Sequence, residues 1–185
     1  MIEIRIHGRG GQGAVIASKL LAWAFFKEGK YIQSFPTYGV ERRGAPVAAF
    51  VRVDDKPVLI RSQIYEPDHI IVLDPTLIES VDVTKGLKKG GWILINTTRE
   101  PSEFSKLTHF KVACVDASGI AVKYQLGSKS HPIVNTGILG AFARVTRFVS
   151  LDSTVEAIVE NVPLMAENNA KAAKEAFEKV RFQEQ

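Results

Sequence analysis

Apolar residues fall along this chain in two registers, one of strand type and one of helical period. Ile2, Ile4 and Ile6 alternate with polar neighbours, while 69–74, 92–96 and 110–115 are almost unbroken apolar runs. Short continuous runs of this kind suit strands buried on both faces of a parallel sheet. Between them lie segments in which apolar positions recur every three or four residues. Val15, Ile16, Leu20, Trp23 and Ala24 place such a helix over Ala14 to about Lys27. Further helices are predicted from Pro75 to about Val83, from Ala117 to about Tyr124, and from about Ile138 to Phe148. Two more, Asp152–Asn161 and Pro163 to about Phe182, end the chain. Strands alternating with helices predict an α/β fold: a Rossmann-like, open, mostly parallel sheet with helices on both faces. Residues 1–185 read as a single domain, large enough for one core.

The punctuation refines this order. Gly29 sits where the first helix needs a C-cap, and Tyr31–Phe35 reads as a short second strand stopped by Pro36. Val47–Val53 and Pro57–Ile60 are β-rich and flank Asp54-Asp55-Lys56, so an antiparallel hairpin is expected at about 47–60. Gly90-Gly91 is a turn, and Glu100–His109 a linker. The last helix has Ala166, Ala170, Ala173, Phe177 and Val180 on one face. Lys171–Glu175, Lys174–Glu178 and Glu175–Lys179 pairs give the other face a solvated character.

The stretch with most chemistry is Gly8-Arg9-Gly10-Gly11-Gln12-Gly13, which joins the first strand to the first helix. Glycines at 8, 10 and 13 satisfy G-x-G-x-x-G in its strand–turn–helix setting. Glycine admits positive φ and lets backbone N–H groups approach an anion, and the helix dipole adds partial positive charge. Arg9 puts a full cation in the turn. The plainer alternative is that these glycines only let strand and helix pack closely.

Other candidates carry less. Phe35–Pro46, with two prolines, two glycines and the adjacent Arg42 and Arg43, is a shaped surface loop. Its arginines can grip a carboxylate or phosphate, pair with acids at a subunit interface, or face water. Asp74 closes an apolar strand and can contact a ligand or cap a helix. Thr97-Thr98-Arg99 follows a strand's carboxyl end, where open α/β sheets bind ligands. Asn135 or Thr136 is a plausible helix N-cap, and His131 lacks any catalytic partner at a telling spacing.

Composition then excludes whole classes. A net charge of +4, from 24 basic and 20 acidic residues without a basic block, is too dispersed for nucleic acid. No run approaches a membrane span of about 20 residues, and the first residues lack a signal peptide's regions, so a cytoplasmic address is expected. Cys114 is the one cysteine and lies among Val112, Ala113 and Val115, as an inert core thiol would. A [4Fe–4S] cluster takes four thiolates, so this chain cannot hold one alone. The second strand ends Gln33-Ser34-Phe35 without the acid that holds a dinucleotide ribose, which disfavours NAD and leaves NADP open. There is no Walker phosphate loop, nucleophile elbow or metal-ligand spacing.

Three stretches together resemble a known family: 7–14 (His-Gly-Arg-Gly-Gly-Gln-Gly-Ala), the loop 35–46 (Phe-Pro-Thr-Tyr-Gly-Val-Glu-Arg-Arg-Gly-Ala-Pro) and 135–141 (Asn-Thr-Gly-Ile-Leu-Gly-Ala). In this order they are similar to the gamma subunit of 2-oxoacid:ferredoxin oxidoreductases. The form Glu41-Arg42-Arg43-Gly44-Ala45-Pro46 looks like the pyruvate type, whose gamma subunit can be shared with a branched-chain (2-oxoisovalerate) enzyme. The resemblance implies a complex that converts pyruvate and coenzyme A to acetyl-CoA and CO₂ while reducing ferredoxin. Thiamine diphosphate, Mg²⁺ and [4Fe–4S] clusters would sit on alpha, beta and ferredoxin-like delta partners. Asn168-Asn169 here lacks the preceding Gly-Asp-Gly that goes with thiamine diphosphate. For this chain the expectation is a supporting role, with Gly8, Arg9, Gly10, Gly11, Gln12 and Gly13 facing coenzyme A. Arg42, Arg43, Asn135 and Thr136 are expected at the interface or the anion. A purely structural subunit and a stand-alone NADP reductase are the rival readings.

Overall fold

The computed structural model describes residues 1–37, 43–107 and 109–182. A seven-stranded sheet runs through it: β1 (Ile2–Arg9), β2 (Tyr31–Pro36), β3 (Pro46–Asp54), β4 (His69–Val72), β5 (Trp92–Asn96), β6 (Lys111–Val115) and β7 (Arg181–Phe182). Their order across the sheet is β2-β3-β1-β4-β5-β6-β7. The four expected parallel strands, β1, β4, β5 and β6, are neighbours and parallel. Six helices accompany them: α1 (Ala14–Lys27), α2 (Leu77–Ser80), α3 (Ala117–Lys123), α4 (Gly137–Thr146), α5 (Leu151–Asn161) and α6 (Ala166–Lys179).

The period of two along each strand sorts the core into two layers. Ile4, Ile6, Ile71, Leu94, Ala113 and Val115 face one way, into a large cluster with α1, α3, α4, α5 and α6. Ile70, Val72, Ile93, Ile95 and Cys114 face the other, under Leu77, Val83, Leu87, Phe104 and Leu107. That second cover is thin. It consists of α2, the following segment with Val83 and Leu87, and two 3₁₀ turns, Pro101–Glu103 and Ser105–Leu107, that form from the expected linker. Cys114 is fully buried there, and desolvation pushes its thiol up to about 12, so it is an inert core residue.

Gly29 closes α1 with a left-handed φ of 78°, and the Gly29 and Lys30 amides return to Phe26 and Phe25 in a Schellman arrangement. Gly140 does the opposite job, close approach: a Cβ there would collide with the Ala173 carbonyl, so α4 and α6 pack main chain to main chain.

Four expectations are corrected. The hairpin at 47–60 is not built from those two arms. β3 pairs with β1 on one side and β2 on the other, leaving no free edge, and Pro57–Ile60 forms no strand. The hairpin is β2–β3. The helix from Pro75 ends at Ser80, because Asp82 accepts from the Thr84 amide and hydroxyl in a turn of its own. The last helix ends at Lys179. Arg181 and Phe182 then add a short antiparallel strand to β6, covering an otherwise open edge. Finally, Glu175 is buried rather than solvated, held between Lys123 at 2.7 Å and Lys179 at 2.6 Å.

Candidate functional site

The chain leaves β1, crosses by α1 to β2 and β3 on one side, and returns to place β4 on the other side of β1. The carboxyl ends of β1 and β4 therefore form a topological switch point, the crevice where open α/β sheets bind ligands. Gly8 to Gly13 lies there. Gly11 and Gly13 take left-handed φ values of 96° and 79°, which only glycine adopts cheaply, and Gly13 is the N-cap of α1 without any side-chain cap. Among the described residues, the amides of Gly11, Gly13 and the first turn of α1 find no acceptor.

Side chains fix this turn tightly. The Gln12 amide oxygen accepts from the Arg9 N–H at 2.7 Å, and its Nε2 donates to Asp74 at 3.0 Å. Arg9 donates Nε to Asp74 at 3.1 Å, NH1 to the Gly44 carbonyl at 3.1 Å and NH2 to the Thr76 hydroxyl at 2.8 Å. Asp74 also takes both the amide and the hydroxyl of Thr76. Burial pushes the Asp74 carboxyl up, but the Thr76 and Gln12 hydrogen bonds and the Arg9 charge outweigh it and hold it below its ordinary value. Asp74 thus stays a carboxylate, and it cancels Arg9. Arg9 is a clamp; each of its three nitrogens donates one bond to protein.

The far loop is joined to the turn by main chain. The Gly10 amide donates to the Ala45 carbonyl at 2.8 Å and the Gly44 amide to the Gly10 carbonyl at 3.0 Å. That pairing brings Arg43 beside Gly11 and into the cleft wall. Arg42, with which it was predicted to act, lies outside the described residues. Asn135 is buried against the turn, its amide 3.4 Å from the Gly13 carbonyl, and a Cβ on Gly13 would collide with it. Thr136 points elsewhere: its hydroxyl donates to Asn169 at 2.6 Å, locking α4 to α6. It heads α4 as N-cap without a side-chain bond.

Thr136 apart, these residues line a cleft of ≈ 790 Å³. Sequence reasoning missed two of its walls. Asn96, at the end of β5, donates to the Leu73 carbonyl at 2.9 Å and to the Ser118 hydroxyl at 3.0 Å, and both Asn96 and Ser118 face the cleft. His131 also reaches the rim, steadied by Ser130 at 3.0 Å from Nδ1. Only the general rule that ligands gather at strand carboxyl ends pointed to Asn96. Thr97, also named there, holds the Arg99 amide instead.

The topology bears on dinucleotides as well. The strand beside β1 on the α1 side is the antiparallel β3, with Pro46 opposite Arg9, so β2 is two strands away from the turn. The position from which an acid would reach a ribose is taken by the start of β3. Among the described residues, no three His, Cys, Asp or Glu side chains gather as a metal site. Among the described residues, no helix is long and apolar enough to cross a membrane.

The family model for pyruvate ferredoxin/flavodoxin oxidoreductase matches residues 3–179. The pyruvate/ketoisovalerate oxidoreductases common subunit gamma of Thermococcus kodakarensis is 57% identical over 183 residues, 97% of each chain. The pyruvate synthase subunit PorC of Methanocaldococcus jannaschii is 52% identical over 178 residues, 96% of each chain. Among solved structures, the pyruvate oxidoreductase subunit PORC of Thermotoga maritima superposes with a TM-score of 0.84 at 37% identity, covering 99% of this chain and 98% of that one.

Proposed function

The chain belongs to the pyruvate ferredoxin/flavodoxin oxidoreductase family, as a gamma subunit, and on that premise we propose that its cleft holds coenzyme A by the pyrophosphate. The complex would convert pyruvate, coenzyme A and oxidised ferredoxin to acetyl-CoA, CO₂ and reduced ferredoxin. The name of the Thermococcus relative favours a subunit that also serves a ketoisovalerate enzyme. One observation carries the coenzyme A reading. The amides of Gly11, Gly13 and the first turn of α1, unpaired among the described residues, open onto a switch-point cleft, where aligned N–H groups and the helix dipole favour an anion. Gly8, Gly10 and Gln12 shape the turn, Arg9 locks it to Asp74, and Arg43 supplies the cation at the wall. Asn135 backs the turn. Arg42 keeps the interface role in this reading, whereas Thr136 is buried and spent on Asn169.

The chain's own residues do not fit the redox and thiamine groups of such a complex. The single thiol is buried and protonated, and Asn169 is spent on the Met165 carbonyl at 2.9 Å and the Thr136 hydroxyl. Thiamine diphosphate, Mg²⁺ and the [4Fe–4S] clusters would therefore reside on alpha, beta and delta partners. What this chain does for the chemistry is to bind, orient and shield the co-substrate.

The test is coenzyme A dependence in the assembled complex. Gly13→Ala should raise the KM for coenzyme A by about ten-fold or more, since the added Cβ displaces Asn135 and distorts the amide cradle. An unchanged KM in a complex of normal composition would refute the assignment and leave a scaffold.

A further inference from the structure

At the opposite end of the sheet, beneath the amino ends of β4, β5 and β6, lies a second cavity of ≈ 560 Å³. Lys111 opens β6, Arg144 and Arg147 end α4, and Trp92, Phe148 and Phe182 supply aromatic surface. None of its lining residues is acidic. Among the described residues none of the three cations forms an ion pair. Lys111 lies over the Trp92 ring at 5.6 Å and Arg144 over Phe177 at 5.5 Å, contacts that leave their charge uncancelled. The nearby acid, Asp68, is spent on Lys88 at 2.8 Å and the Glu3 amide at 2.7 Å.

His69 completes the pattern. It is buried, and its Nδ1 accepts from the Trp92 amide at 3.2 Å. Burial, helped by Lys111 and Lys88 against Asp68, lowers its pKa to about 4 and keeps it neutral. A neutral imidazole that accepts at Nδ1 carries its proton on Nε2, so His69 can offer only a donor to the cavity. Every charged or titratable group in the wall is therefore a donor. Three cations suit a phosphate dianion better than a single carboxylate, because each can take a separate phosphate oxygen. Phe148, 45% exposed at the rim, offers a ring face on which a flat group can stack.

We propose that this cavity binds a small ring-bearing phosphate of the nucleotide class, with the phosphate on Lys111, Arg144 and Arg147 and the ring against Phe148. The site lies away from the glycine turn and does not depend on the coenzyme A reading. It is also built on different chemistry, side-chain charge rather than main-chain amides.

Trp92 in the wall provides the readout, since Trp23 is the only other tryptophan. Full-length Trp23→Phe protein is titrated with AMP and, separately, with inorganic phosphate at constant ionic strength. AMP should change Trp92 fluorescence saturably, and Arg144→Gln/Arg147→Gln should weaken it by roughly ten-fold or more. Gly13→Ala in the same background should leave the signal intact, which separates this site from the glycine turn. Inorganic phosphate should bind more weakly than AMP; equal affinity would overturn the ring contact. No saturable change, or one that survives the double substitution, overturns the site.

Discussion

At the carboxyl ends of β1 and β4 the cleft is main chain: glycine amides, a helix N-terminus, and an arginine whose charge is cancelled by Asp74. At the amino ends of β4, β5 and β6 the cavity is marked by side-chain chemistry: three arginine or lysine residues, a neutral histidine and aromatic rings. The first arrangement depends on φ angles and on what a Cβ would strike. The second depends on charge and on which segments meet. Substitutions should therefore fail at the two ends for different reasons, and that difference can be measured.

The largest effect expected comes from a feature the ends share. His7, next to the glycine turn, and His69, in the second cavity, are both buried and lowered to about 4, chiefly by desolvation, with Arg5 adding to it at His7. Their unfolded value lies near 6.5, so between roughly 6.5 and 4 the unfolded chain binds more protons and stability falls as pH falls. Each accounts for about 3 kcal/mol lost by pH 4, at 1.36 kcal/mol per unit. Chemical denaturation across this range should show the loss, and His69→Gln should remove about half of it. A flat profile would mean that both imidazoles are solvated.

Next in size is the backbone end itself. Gly13→Ala forces an L-residue to φ 79° and drives its Cβ into Asn135, at a cost of about 3 kcal/mol from strain and overpacking together. Gly11→Ala is the internal control. Its φ of 96° is equally unfavourable, but the nearest atom to the new Cβ is Arg43 Cγ at 4.0 Å, so only strain of about 1 kcal/mol remains. Urea unfolding of the two variants should separate clash from strain. Equal losses would show that Asn135 gives way freely.

Asp74→Asn probes the clamp and should cost about 2 kcal/mol near neutral pH, because Arg9, Gln12 and Thr76 all donate to that carboxylate. Its folded pKa lies below the unfolded value, so its contribution is present above about 3.9 and is lost as pH falls through the folded value. The gap between wild type and variant, measured by unfolding at pH 7 and again in strong acid, should therefore close in acid.

The two ends also differ in how far the sequence announces them. The glycine turn is contiguous, and its residue types are dictated by backbone geometry, so the helix is legible as α1 at Ala14–Lys27, while β1 runs two residues further than expected, to Arg9. Asp74 reads as a helix cap or a ligand contact until the sheet order brings it within reach of Arg9, 65 positions away. The second cavity draws on residues from 69 to 182, and its last strand, β7, is two residues long. Nothing local marks it. The misread hairpin has the same origin: Val47–Val53 and Pro57–Ile60 look like partners until β3 is seen to be covered on both edges. Local patterns report what a segment can form, and pairing decides what is left for it.

Arg147 gives the smallest and sharpest contrast. It ends α4 in the left-handed region at φ 56°, a position that glycine fills at least cost. Here an arginine holds it and lines the second cavity. If backbone geometry governed this end as it governs the other, Arg147→Gly would be an improvement in every respect. Relief of the left-handed strain should stabilise the fold by about 0.5–1 kcal/mol, less what the cation contributes at the helix C-terminus. Phosphate binding should weaken in the same variant. Melting temperature and Trp92 titration, read side by side, should thus move in opposite senses. A variant that gains stability and keeps its phosphate affinity would place Arg147 outside the site and leave its strained backbone without a function.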